Sequence, residues 1–305
     1  MTNHKLLQPS KESRQDRHGK YWVGLAIGII GVLIISILLF LCTKGVALFV
    51  NHGVGIFDFI TGTKWSPSDG QFGALPMILT SLAVTLVAGI VALPLALLVA
   101  LAITEILPTR LQQPLRALVE LMVGIPSVIY GFVGLTVVVP QLRQWFGGTG
   151  FGLLAAMVVL IMMIFPTITS MTVDTLRATP KAYRIGSMGL GATRWQTIWH
   201  VILPYAKGGI ITALIFGMAR AFGEALAVQM VIGNTVSLPN GLMNPAATLT
   251  SVITTGIGNS VMGTPANDAL WSLALVLLLM SLVFNGLAQL TKGRSQSWIK
   301  SSLIA

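Results

Sequence analysis

Six times along the chain, apolar residues run far enough to cross the roughly 30 Å of a bilayer's hydrocarbon core, a distance that takes about 20 helical residues. The runs fall at residues 21–42, 75–103, 118–139, 151–171, 208–233 and 269–290. A helix satisfies its own backbone polar groups in lipid, so each run is predicted as a transmembrane helix. Pro94, Pro126 and Pro166 lie inside three of them. Each removes a backbone donor, which predicts a kink and a freed carbonyl that must find another partner. The fold class expected is an all-α integral membrane protein with six transmembrane helices.

Composition agrees with the pattern. Of 305 residues, 54% are hydrophobic and 9% charged, against about a quarter charged in soluble domains. Mean hydropathy is +0.83. The net charge of +10 invites a nucleic-acid partner, but the basic residues cluster in alternate connectors, which points to membrane lipid instead. Fifteen Lys and Arg fall on the side of the N-terminus; Lys44, Lys64 and Arg143 fall on the other, and Arg220 lies inside a run. Positive charge accumulates on the cytoplasmic side, so both termini are expected there. The first run is too long for a signal-peptide core and lacks a small-x-small cleavage site, so it reads as an uncleaved helix. A single cysteine, Cys42, excludes an intrachain disulfide. The expected organisation is a cytoplasmic tail over 1–20, a first helix over 21–42, an outer loop over 43–74, a helical core over 75–290 and a cytoplasmic tail over 291–305.

The connectors carry their own signals. Trp65, Pro67, Gly70 and Gly73 mark the first outer loop as ordered and turn-rich. The last outer loop, 234–268, is long for a segment without structure, and its apolar content near 249–257 predicts a short helix or a dip back toward the membrane. The segment over 174–204 is the most patterned. Thr179 and Pro180 offer an N-cap and a first-turn proline, predicting a helix from Lys181 to a glycine stop at Gly189 or Gly191. Thr193 and Gln196 have capping-box spacing and open a second short helix. That helix is expected to end before Pro204, because the residue preceding proline avoids helical dihedrals. The result is a compact cytoplasmic knob with a glycine hinge.

Arg220 and Glu224 are the charged residues of the fifth run. A charge at that depth costs roughly 2.5–3.5 kcal/mol on insertion scales, and such residues face a protein interior or a pathway. On an unbroken helix, Ala213, Gly217, Arg220, Ala221, Glu224, Val228 and Val231 would share one face. A spacing of four permits an Arg–Glu contact. Two readings stay open: a structural ion pair, or a part in transport. Glu105 and Glu120 read as boundary residues and His200 as a surface residue. An integral membrane enzyme is the alternative of another class. It lacks support, because the chain has no HExxH, no GxSxG and no histidine inside a run. The absence of GxxxxGK[ST] also excludes an ATPase.

The arrangement Ile185-Gly186-Ser187, then Gly191, then Val201-Ile202-Leu203-Pro204 resembles the EAA loop of ABC-importer permeases. That loop has Glu-Ala-Ala, a glycine four residues on, and a later Ile-x-Leu-Pro. The resemblance implies that Ile185, Gly186, Ser187, Gly191, Leu203 and Pro204 belong to a coupling helix docked in a groove of an ATPase. Ile185 stands where the family has glutamate, so docking by close packing is expected without that residue's salt bridge. Three further stretches are similar to the phosphate-importer permease of PstC type: Glu120-Leu-Met-Val-Gly-Ile-Pro-Ser-Val-Ile-Tyr-Gly131, Gly217-Met-Ala-Arg-Ala-Phe-Gly-Glu-Ala-Leu-Ala-Val228 continuing to Ile232-Gly-Asn-Thr235, and Trp65-Ser-Pro-Ser-Asp-Gly-Gln-Phe-Gly-Ala-Leu-Pro76.

That resemblance implies a type I ABC importer permease fold and import of inorganic phosphate by alternating access. It implies a PstA-like second permease, an ABC ATPase dimer and an extracytoplasmic phosphate-binding protein. This chain would bind no cofactor; ATP and Mg would sit on the ATPase. Arg220 would meet the anion with a planar fork of donors, and Glu224 would hold Arg220 when the path is empty. Ser127 and Tyr130, after Pro126, are candidate pathway-lining residues, with a backbone or packing hydrogen bond as the alternative. Asn234 and Thr235 are candidates at the outer end of the fifth run, with a helix cap as the alternative. Another oxyanion, such as molybdate or sulfate, is the rival cargo.

Overall fold

The computed structural model describes the backbone of residues 11–302 and the side chains of residues 19–286. Residues 1–10 of the expected N-terminal tail and 303–305 of the C-terminal tail lie outside the described residues. So do the side chains of Lys11, Arg14, Arg17, Lys292, Arg294 and Lys300. Helix α1 (Lys11–His52) leads to the short α2 (Ile56–Thr61) and an antiparallel hairpin of β1 (Trp65–Ser66) and β2 (Gln71–Phe72). The hairpin turns through Gly70 at φ +69°, a value that glycine adopts without a Cβ clash. Helices α3 (Leu75–Leu101), α4 (Thr109–Val123), α5 (Ser127–Val133), α6 (Val139–Phe146) and α7 (Leu153–Arg177) follow. The remainder is α8 (Lys181–Gly189), α9 (Arg194–Thr197), α10 (Leu203–Phe222), α11 (Leu226–Ile232), α12 (Leu249–Ile257) and α13 (Pro265–Ser302).

Among the described residues, five helices are long and apolar enough to cross a membrane, or six where the pair Thr109–Val123 and Ser127–Phe146, bent by 92°, is counted as one span. The kink expected at Pro126 in the span over 118–139 is thus a full break of the helix. The break falls at Gly124-Ile125-Pro126, where proline withholds its donor, and Tyr130 Oη repairs part of the loss by donating to Met122 O at 2.8 Å. The expected fifth span over 208–233 is also corrected. It is one helix from Arg194 to Phe222, then a break at Gly223, then α11. Pro204 does not end the second knob helix. A π-helical turn over Ile198–Ile202, closed by Leu203 N to Ile198 O, carries the chain past the proline. The first helix begins at Lys11 and the last continues to Ser302, so both expected tails are helical in their described parts. The short helix foreseen near 249–257 is α12, opened by a capping box between Thr248 and Ser251.

The centre is α7, packed against α3 and α10. Small residues permit this. Ala88, Ala92, Ala96 and Ala100 form a fully buried stripe along α3, where backbones can approach closely. On α10, Gly209 faces Thr175 and Gly217 faces Ile168, a register that runs the two helices antiparallel. Helix α1 packs on α13 from its second half: Gly45 faces Leu275, Ser272 Oγ donates to Gly45 O at 2.8 Å, and His52 Nε2 lies 3.2 Å from Asp268 Oδ2. Its apolar side chains from Tyr21 to Leu39 are exposed.

A Cβ on Gly217 would stand 2.6 Å from Ile168 Cγ1, and overpacking of this kind costs about 1–3 kcal/mol. Gly217→Val is expected to lower the thermal unfolding midpoint of the detergent-solubilised protein. Gly24→Val, where nothing lies within 4 Å, is expected to leave it unchanged.

Candidate functional site

Arg220 sits near the end of α10. From Lys207 to Arg220 the helix rises about 20 Å, and side chains on a helix lean toward its N-terminus. The guanidinium therefore lies inside the apolar span, less than about 20 Å along the axis from Lys207. Nη1 donates to Thr167 Oγ1 on α7 at 2.7 Å, its one hydrogen-bond partner among the described residues. The antiparallel register of Gly217 on Ile168 places Thr167 within reach. Tyr130 lies within electrostatic reach of the same charge.

The expected ion pair between Arg220 and Glu224 is absent among the described residues, because an i,i+4 contact needs an unbroken helix and α10 stops at Phe222. The shared face through Val228 and Val231 is lost for the same reason. Glu224 instead occupies the break between α10 and α11. Its Oε1 accepts from Ala227 N at 3.1 Å, satisfying a donor in the first turn of α11, and its carbonyl accepts from Thr250 Oγ1 of α12 at 2.9 Å. A cavity of about 10 Å³ lies beside it, lined by Ser81, Thr85, Thr248 and Thr250 among others. Arg220 and Glu224 are both half-buried, next to exposed Gly223 and Leu226. Their site opens on a face of the chain that its own helices leave uncovered.

The other candidates separate. Tyr130 is buried and spans the bend between α4 and α5, so its hydroxyl is engaged by backbone; Ser127 starts α5, half-buried. Asn234 and Thr235 are exposed beyond α11. Asn234 Nδ2 caps that helix at Gln229 O, 3.0 Å away, and Thr235 N pairs with Ala246 O. Asn234 thus contacts the end of α11 and Thr235 the segment before α12, both set apart from Arg220 by the length of α11.

At the basic end, α8 and α9 form the foreseen knob. Gly191 turns at φ +85°, and Thr193 and Gln196 close both bonds of the capping box. Ile185, Met188, Leu190 and Trp195 are exposed. Gly186 and Gly191 are exposed too, while Ser187 Oγ bonds Thr197 Oγ1 at 3.0 Å. Leu203 packs inward beside Ile198 and Ile202, and Pro204 is exposed in the first turn of α10. Thr179 is not the side-chain cap that was expected, since its Oγ1 is buried without a partner. Arg184 serves the nearby carbonyls instead, and its carboxylate partner is Glu105 at 2.7 Å. Glu105 is thus a paired, largely buried residue and not a solvated boundary one. Exposed Glu120 pairs with half-buried Arg116 at 2.6 Å, and His200 is exposed as expected. Sequence reasoning missed Thr167 and gave Glu105 the wrong surroundings; a hydroxyl inside an apolar run, Thr167, was the available signal.

A model of the binding-protein-dependent transport system inner membrane component matches residues 92–295. The chain belongs to that family. A Bacillus subtilis (strain 168) protein named "Probable ABC transporter permease protein YqgH" is 46% identical over 90% of this chain and 91% of its own length. The "Phosphate transport system permease protein PstC" of Xylella fastidiosa (strain Temecula1 / ATCC 700964) is 31% identical over 82% of each. Among solved structures, a bacterial alginate ABC transporter complex aligns with TM-score 0.61, at 17% identity over 91% of this chain and 97% of the other. The methionine transporter MetNI in an inward-facing form aligns at 0.54, with 22% identity over 70% and 94%. The fold is that of a type I ABC importer permease, a multi-pass membrane subunit without catalysis of its own. Permeases of this family pair with an ATPase and a periplasmic binding protein.

Removing one hydrogen bond to a charged group costs about 1.5–3 kcal/mol. Thr167→Val is therefore expected to lower the unfolding midpoint, while Thr167→Ser, which keeps the hydroxyl, preserves it. Equal midpoints for the two variants would show that Arg220 gains nothing from this contact.

Proposed function

We propose that this chain is one permease subunit of an ATP-driven importer of inorganic phosphate, working by alternating access in a prokaryotic cytoplasmic membrane. Its companions are a PstA-like second permease, an ATPase dimer that holds ATP and Mg, and an extracytoplasmic phosphate-binding protein. The excess of Lys and Arg in these connectors supports a cytoplasmic side for both termini and the knob, with exposed α8 docking on the ATPase. The similarity to PstC-named relatives supports the cargo.

One observation carries the reading: Arg220 is a permanent cation inside the apolar span with a single neutral partner, on the open face of the chain. Exchanging a hydroxyl for an anion there is inexpensive, since a neutral hydrogen bond is worth about 1 kcal/mol net while charged ones are roughly twice as strong. Glu224, free of Arg220, supplies an acceptor. Phosphate near neutral pH still carries a proton to donate to it; sulfate does not and is repelled. The pair thus favours a proton-bearing oxyanion.

The test is uptake of labelled phosphate by the complete complex in proteoliposomes. Arg220→Gln is expected to cut uptake about tenfold or more, the loss of roughly one charged contact in the rate-limiting passage. Glu224→Gln is expected to let sulfate compete better than it does in the wild type. Undiminished uptake by a well-assembled Arg220→Gln complex defeats the role of Arg220. Stronger competition by molybdate or sulfate than by phosphate in the wild type assigns the importer to another oxyanion.

A further inference from the structure

Helix α8 has nine residues and none of them is buried. Its apolar contact is a tilted ring pair of half-exposed Tyr183 with Tyr205 of α10, centroids 5.4 Å apart, so polar contacts carry much of the attachment. The main one is Arg184. Its Nη2 donates to Glu105 Oε1 at 2.7 Å and to Leu176 O at 2.9 Å, its Nη1 donates to Thr179 O at 2.7 Å, and its Nε approaches Glu105 Oε2 at 3.4 Å. Glu105 belongs to the π-helical turn Ala102–Ile106 that ends α3. Leu176 and Thr179 belong to the end of α7, whose last carbonyls have no partner within their own helix. One guanidinium therefore fastens α8 to the ends of two membrane helices. The side chains are 20% and 12% exposed, so water screens the pair little.

We propose that Arg184 is the positioning residue through which movement of docked α8 reaches α3 and α7, acting through Glu105 and not by touching the ATPase. The fork geometry matters, because a carboxylate and two carbonyls are held at fixed angles by one planar group. Farther along, α7 carries Thr167, the partner of Arg220, and α3 carries Ser81 and Thr85 beside Glu224. A pull on both helix ends acts on both sides of the Arg220 site. This inference rests on the reading of α8 as the docking element, but it does not depend on the cargo.

The test uses the assembled complex with Cys42 replaced by serine and spin labels at positions 98 and 190. Leu98 on α3 and Leu190 at the end of α8 are 65% and 92% exposed. In the wild type the distance between labels is expected to stay constant as nucleotide is bound and hydrolysed. In Arg184→Met it is expected to broaden and to shift with nucleotide, while ATP spent per ion imported rises severalfold. Glu105→Gln keeps the shape and one acceptor, so it is expected to give a smaller rise; it also serves if Arg184→Met fails to assemble. A wild-type distance that moves by several ångströms with nucleotide overturns the proposal. So does an unchanged ATP-to-ion ratio in both variants at normal assembly. A different cargo would show in the uptake assay alone and leave the label distances as they are.

Discussion

A backbone carbonyl or a charged group inside hydrocarbon has no water to turn to, and the departures of this chain from straight helices follow from that constraint. Proline cannot donate to the carbonyl four residues back, and its ring collides with it. Pro108, Pro140 and Pro204 are each preceded by a five-residue π-helical turn that ends two positions earlier. In each, the next amide reaches back five residues, to Ala102, Gly134 and Ile198 respectively. At Pro126 the chain bends instead, and Tyr130 supplies a donor across the gap. At Gly223 it breaks, and Glu224 supplies an acceptor to the next helix. Buried Thr169 and part-buried Thr175 return their hydroxyls to their own helix at Phe165 and Met171.

Against this background Arg184 and Arg220 differ in kind. Arg184 has its donors spent on a carboxylate and two carbonyls. Removing one partner of such a buried pair costs about 3–5 kcal/mol, which suits a fastener that must survive every cycle. Arg220 leans on a single hydroxyl. A group so lightly committed can change partners without a large barrier, which is what a transient contact with a moving ion requires. The same side chain thus serves as a rivet or as a ligand according to how many acceptors the fold brings to it.

Much of the fold was legible in the sequence. Hydropathy located the apolar spans, the capping boxes and Gly191 located the knob, and the apolar patch at 249–257 located α12. Local chemistry decides those features, within a few residues of one another. The partners of the charged residues were not legible. Arg220 meets Thr167 across 53 positions and Arg184 meets Glu105 across 79, distances that only tertiary packing closes. The break at Gly223 was hidden because the apolar run continues through it; nothing in residues 208–233 except one more glycine distinguishes a stop from a continuation. The glutamate expected to hold Arg220 was drawn away by the amide that the break exposed.

The turn at Ile198–Ile202 has a consequence for phase. An α-helix advances each residue by about 100° around its axis, and a π turn inserts one residue beyond the regular count. The azimuth of Arg220 relative to Trp195 is therefore set by that surplus residue as well as by the spacing along the chain. Excising it would spin the inner length of the rod by more than a quarter revolution against the outer. The guanidinium would then leave Thr167 for a different wall, with every other residue of the helix unaltered.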